Sequence, residues 1–137
     1  MNKKANLLVS LISIVDDDES VREATTSLLK SNGFRAEVFS SAEDFLASRY
    51  LDGTKCLILD VQMPGMNGLE LQRRLASEHR RIPIIFISAH DQPDFRKQAT
   101  RAGAIDFLPK PFSEAALLGA LRVALGPANE NQDPRTL

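Results

Sequence analysis

Asp16, Asp17 and Asp18, followed by Glu19, stand directly behind the apolar run Leu11 to Val15. Carboxylates this close repel one another, and without compensation at least one would hold a proton near neutral pH. A divalent cation removes that penalty. An all-oxygen set of carboxylates, a main-chain carbonyl and waters suits Mg²⁺. Three more residues capable of chemistry close other apolar runs: Asp60 ends C-L-I-L-D, Ser88 ends I-I-F-I-S, and Lys110 lies just past I-D-F-L. A carboxylate flanked by a metal and an ammonium suits attack on a phosphoryl group, because the charge on the transferring oxygens must be neutralised. Ser88 can donate a hydrogen bond to one of those oxygens. Taken singly, each residue has an ordinary reading: a solvated turn or helix cap for the aspartates, a turn residue for Lys110, a satisfied strand-end hydroxyl for Ser88. Their order and their placement at strand ends together point to an aspartate, Asp60, that becomes phosphorylated.

That chemistry requires the run ends to lie side by side. L-I-S-I-V (11 to 15), C-L-I-L-D (56 to 60), I-I-F-I-S (84 to 88) and I-D-F-L (105 to 108) are short and nearly continuously apolar, and R-A-E-V-F (35 to 39) is a more polar companion. Such runs mark strands of a parallel sheet covered on both faces. Between them the spacing predicts helices. Val21, Ala24, Leu28 and Leu29 share one face of the first, which Gly33 stops; Asp18 and Glu19 serve its entrance, where negative charge is favoured. Ser40, with Glu43 three residues on, reads as a capping box for the second. Gly68 to Glu78 carries Leu69, Leu71 and Leu75, Pro93 to Ala102 ends at Gly103, and Ser113 caps a last helix that stops at Gly126-Pro127. Right-handed crossovers turn this alternation into a doubly wound, flavodoxin-like (βα)5 sandwich of three layers. Its five-stranded parallel sheet has order 2-1-3-4-5, with the active groove at the carboxyl ends of the strands.

With 137 residues, 43% of them hydrophobic, the chain has room for one continuous core. Lys plus Arg (17) and Asp plus Glu (18) nearly cancel to a formal charge of -1, so no global attraction to nucleic acid or membrane is expected. The basic run Gln72 to Arg81 reads as a solvated helix end that complements the dipole, not as a nucleic-acid patch. Cys56 is the only cysteine. No internal disulfide or cysteine metal site can form, which fits a reducing cytosol. Lys3 and Lys4 before an apolar stretch imitate a signal peptide, yet the stretch is too short to span a bilayer and lacks a small-residue cleavage site. The expected organisation is an N-terminal tail (1–10), one domain (11–125), and a disordered tail or linker stub (126–137).

I-V-D-D (14 to 17), L-I-L-D-V-Q-M-P-G-M-N-G (57 to 68), I-F-I-S-A-H (85 to 90) and G-A-I-D-F-L-P-K-P-F (103 to 112) together resemble the receiver domain of bacterial two-component response regulators. S-A-E-D-F-L (41 to 46) and G-A-I-D-F-L look like the subgroup that regulates nitrogen fixation. The resemblance implies that Asp60 is the phospho-acceptor, supplied by a sensor histidine kinase or phosphotransfer protein, or by a small acyl phosphate. It implies Mg²⁺, with Mn²⁺ as a substitute. Asp17 would be the direct ligand and Asp16 its partner acting through water, and the main-chain carbonyl of Gln62 would be the remaining protein ligand. Ser88 and Lys110 would bind the phosphoryl group. Phe107 would be the aromatic switch that enters space vacated when the Ser88 hydroxyl moves inward, and the Lys110-Pro111 peptide is expected to be cis. Gln62 and His90 would tune hydrolysis, His90 being a poor Mg²⁺ ligand because Mg²⁺ prefers oxygen. The switched surface of fourth helix, fifth strand and fifth helix would control an output domain or partner protein. It could also pair two copies through Lys97, Arg101, Asp106 and Arg122. In the fourth helix the apolar anchors are few, mainly Phe95, Ala99 and Ala102, which fits either a mobile helix or a solvated face.

Two other readings compete. A haloacid-dehalogenase-like phosphatase also uses Asp, Ser, Lys and paired carboxylates, but its nucleophile comes first in D-x-D and it needs a cap domain. Here the acidic pair precedes the nucleophile. A pseudo-receiver acting only as a scaffold would lack part of the five-residue set, and all five positions are filled. Under the favoured reading the chain is not a general enzyme and catalyses only its own phosphorylation and dephosphorylation. Nothing after Gly126 could form a DNA-binding helix pair, so the chain is expected to be a stand-alone receiver or one part of a longer protein.

Overall fold

A computed structural model describes residues 10–90 and 92–130. Five strands alternate with five helices: β1 (Leu11–Val15), α1 (Glu19–Ser31), β2 (Arg35–Phe39), α2 (Ala42–Leu46), β3 (Cys56–Asp60), α3 (Gly68–Ser77), β4 (Ile84–Ser88), α4 (Pro93–Arg101), β5 (Asp106–Pro109) and α5 (Glu114–Glu130). All pairings are parallel and the sheet order is β2-β1-β3-β4-β5, as expected.

The apolar continuity of β1, β3 and β4 has its cause in their central position, where every residue is buried. The two edge strands, β2 and β5, are only partly buried and correspondingly more polar. Because successive side chains alternate faces, the sheet feeds two cores. Ile12, Ile14, Ile58, Ile85 and Ile87 pack with Leu29 of α1 and Leu117 and Leu121 of α5. Val15, Leu57, Leu59 and Phe86 pack on the other side with Phe45 of α2, Leu71 and Leu75 of α3, and Ala99 of α4. Ser13, within β1, is fully buried and keeps its hydroxyl satisfied through Thr54 (2.7 Å), which in turn donates to the Tyr50 carbonyl (2.7 Å). Burial pushes the Cys56 thiol up to about 12, leaving it chemically quiet.

Several boundaries differ from those predicted. The N-cap of α2 is Ser41, whose side chain accepts from the Asp44 N–H (3.0 Å), and not Ser40. Two serines in a row each have an acidic residue three positions on, so the motif fits both registers. β5 starts one residue later than predicted. Ala24 is exposed while Thr25 is buried, shifting the inward face of α1 by one position. Ala102 is exposed too, which leaves Phe95 and Ala99 as the apolar anchors of α4, and the Gln72 amide donates to the Ala99 carbonyl (3.2 Å). The last helix does break at Gly126 as expected, where the backbone is non-helical (φ 71°, ψ -175°), but a short second helical segment follows it to Glu130. The segments 1–9 and 131–137, which hold most of both expected tails, lie outside the described residues. Among the described residues no helix is long and apolar enough to cross a membrane.

Candidate functional site

The carboxyl ends of β1, β3 and β4 and the turn after β5 form one cluster. β1 delivers Asp16, which is fully buried, and Asp17, which faces solvent. The Asp16 backbone is fixed at both ends: its N–H donates to the Phe39 carbonyl (3.1 Å) and its carbonyl accepts from the Arg22 guanidinium (2.7 Å). Its Oδ1 accepts from the Asp18 N–H (2.8 Å). Asp18 is occupied otherwise, as the N-cap of α1. It accepts from the Ser20 hydroxyl and N–H, and these bonds hold its pKa below the usual carboxylate value. The acidic run is therefore two features: a site pair and a helix cap.

Asp60 ends β3 and is 5% exposed. Burial, with the neighbouring Asp16 carboxylate, raises its pKa to about 6, against the opposing pull of the Lys110 ammonium and the Gln62 N–H. Lys110 reaches back over the strand ends, its Nζ 2.8 Å from Asp16 Oδ2 and 3.5 Å from Asp60 Oδ1. Its backbone N–H donates to the Ser88 carbonyl (2.7 Å), which registers the β5 turn against β4, and the Lys110-Pro111 peptide is cis. Burial disfavours the ammonium, but contact with Asp16 and the charge of Asp60 outweigh it, and the pKa stands above the usual lysine value.

Ser88 is buried, and its hydroxyl donates to the His90 carbonyl (2.8 Å) while accepting from the His90 N–H (3.1 Å). A ligand oxygen at Asp60 would have to draw the hydroxyl out of that turn. Gln62 and His90 are both exposed at the rim. Phe107 is half-buried in a three-ring cluster, 6.2 Å from Phe86 and 5.9 Å edge-on from Phe95, with the Arg96 guanidinium 5.1 Å from its ring centre. Lys97, Arg101, Asp106 and Arg122 are all exposed.

The loop after Asp60 is tightly closed. The Val61 N–H donates to the Ile87 carbonyl (3.0 Å) and the Gly68 N–H to the Val61 carbonyl (3.0 Å). Asn67 then starts α3 with a capping box to Glu70. A Cβ on Gly68 would lie 2.8 Å from the Asp60 carbonyl oxygen and 2.9 Å from Phe86 Cε1, so only glycine admits this close return. Two residues that bind the site loops were not foreseen as such: Arg22 on the Asp16 carbonyl, and Glu43, whose carboxylate accepts from the Met66 N–H (3.1 Å). Arg22 offers no sequence signal, and the spacing of Glu43 from Ser40 suggests a cap instead.

The donor set fits a hard divalent cation. One carboxylate oxygen each from Asp16, Asp17 and Asp60 lies within 4.8 Å of the others. Asp16 Oδ2 is buried and, apart from the Lys110 ammonium, has no polar partner among the described residues. Oxygen donors alone at this separation suit Mg²⁺ or Mn²⁺ and not a thiolate- or imidazole-preferring metal.

A family model described as response regulator receiver domain matches residues 12–122. The response regulator protein TmoT of Ectopseudomonas mendocina is 51% identical over 124 residues, covering 90% of this chain and 56% of its own length. The transcriptional regulatory protein FixJ of Rhizobium meliloti is 38% identical over 113 residues, 82% of this chain and 55% of its own. Among solved structures, the response regulator StyR superposes with a TM-score of 0.81 at 45% identity, covering 93% of this chain and 65% of that one. The chain thus spans about half the length of the curated relatives it matches.

Proposed function

Because the chain belongs to the response regulator receiver domain family, we propose that it is switched by phosphorylation of Asp60. The observation that carries this reading is the convergence of three carboxylates within 4.8 Å under the Lys110 ammonium. In the reaction a carboxylate oxygen of Asp60 attacks phosphorus. The bond from phosphorus to the donor breaks, and the donor keeps the electron pair: a histidine nitrogen of a sensor kinase or phosphotransfer protein, or the acyl oxygen of a small acyl phosphate. Lys110 offsets the charge on the transferred group, and the Ser88 hydroxyl leaves the His90 turn to donate to one of its oxygens. Mg²⁺, or Mn²⁺ in its place, would be held by Asp17 directly, by Asp16 through water, by Asp60 and by the Gln62 carbonyl, and would neutralise the phosphoryl oxygens.

Loss of the Ser88 hydroxyl from its turn opens room beside Phe107, which biases the surface of α4, β5 and α5. That surface would act on an output domain or a partner protein, or pair with a second copy through Lys97, Arg101, Asp106 and Arg122. The related TmoT and FixJ, whose names describe a response regulator and a transcriptional regulator, support an output of this kind. Gln62 and His90 stand where they could tune hydrolysis. The test is intact mass after incubation with an acyl phosphate, with and without Mg²⁺. The expected result is one added phosphoryl group in the wild type only with Mg²⁺ and none in Asp60→Asn. Equal labelling of both proteins defeats the assignment.

A further inference from the structure

Glu43 lies on α2, outside the acidic cluster, yet it reaches the loop that follows the phospho-acceptor. We infer that Glu43 is a positioning residue for the cation site, holding the apex of the Val61–Gly68 loop and thereby the Gln62 carbonyl; this rests on the reading of Gln62 as a metal ligand. The base of the loop is closed by the Gly68 N–H on the Val61 carbonyl (3.0 Å), and Met63 is buried within it. The apex, Pro64 to Met66, is exposed or half-exposed and depends on the Met66 N–H donating to Glu43 Oε2 (3.1 Å). Gly65 is shaped to the same contact: its φ is +77°, and a Cβ there would stand 2.9 Å from Glu43 Oε2. The cap of its own helix is supplied by the Ser41 side chain on the Asp44 N–H (3.0 Å), so Glu43 is not needed there. A main-chain carbonyl ligand has no side chain to steer it, so its direction is set by whatever fixes the loop, as supporting bonds do for other metal ligands.

The test reads Mg²⁺ directly, by ¹⁵N amide shifts of residues 61–68 during titration with MgCl₂, on the wild type, Glu43→Ala and Glu43→Gln. Thermal melting in EDTA serves as the structural control. Gln retains an oxygen that accepts from Met66, so it separates the bond from the charge. The expected result is a Mg²⁺ midpoint raised roughly 3- to 10-fold in Glu43→Ala and less than about twofold in Glu43→Gln, with EDTA melting within ~3 °C of wild type. An unchanged midpoint in Glu43→Ala, an equal shift in both variants, or no Mg²⁺ response in the wild type overturns the inference. Phosphorylation is not part of the readout, so a wild type that binds Mg²⁺ but takes no phosphoryl group counts against the phosphorylation reading alone.

Discussion

Replacing Gly68 and Gly119 by alanine should move stability in opposite directions. Gly119 lies inside a helix, where alanine is intrinsically favoured by roughly 0.5–1 kcal/mol, and Gly68 opens one, where that gain is no larger. At Gly119 of α5 a Cβ meets nothing within 4 Å, so the helical gain stands alone and Gly119→Ala should stabilise by about 0.5–1 kcal/mol. At Gly68 a Cβ would stand 2.8 Å from the Asp60 carbonyl oxygen, 2.9 Å from Phe86 Cε1 and 3.3 Å from Val61 Cα. Two of these neighbours are backbone and the third is a ring at the centre of a core, so none can swing aside. Overpacking of this kind costs about 1–3 kcal/mol, and near the upper end it exceeds the helical gain by about 2 kcal/mol. With an unfolding entropy near 2.1 cal/mol/K per residue over the matched region, 12–122, each kcal/mol is worth ~4 °C in Tm. Gly68→Ala should therefore melt up to ~8 °C below wild type and Gly119→Ala ~2–4 °C above it. Far-UV circular dichroism in urea and on heating measures both. A Gly68→Ala protein as stable as Gly119→Ala would refute the close return of the loop onto β3.

Lys110→Met leaves Asp16 buried without its counter-charge and should cost about 2 kcal/mol in EDTA, less than a wholly enclosed pair because Lys110 keeps 17% side-chain exposure. Mg²⁺ should then raise the melting point of the variant more than that of the wild type, and equal gains would speak against a cation at the three aspartates. Gln72→Leu removes a buried Oε1 that has no partner among the described residues, and the Ala99 carbonyl it leaves still accepts from the Ala104 N–H (2.9 Å). Stability should change by less than about 1 kcal/mol in either direction, because the lost amide bond and the relieved orphan oxygen nearly offset, and a loss above ~2 kcal/mol by urea titration would show that they do not.

The sheet could be read from the sequence because its central strands are buried on both faces and carry no polar interruption except Ser13 and the terminal Asp60 and Ser88. Those interruptions were themselves the signal for the site. Local signals failed where two registers satisfied the same rule, as at Ser40 and Ser41, or where a small residue fits both inside and outside, as at Ala24 and Ala102. Two kinds of information were absent altogether. A main-chain carbonyl belongs to the backbone, so no residue type can announce which one would serve as a ligand. Arg22 and Glu43 act on loops from neighbouring elements, Glu43 across 23 positions of chain, and helix periodicity carries no trace of such contacts.

The ion pair between Asp16 and Lys110 joins the end of the first strand to the turn after the last, so the cluster is complete only once all the strands are present. Synthesis runs from the N-terminus, and a partial chain ending before β5 would hold the acidic residues with no ammonium among them. Closing so long a loop is entropically slow relative to forming any single helix. Chemical competence therefore arrives only with the final strand, and a shortened or half-folded molecule would be a poor phosphate acceptor.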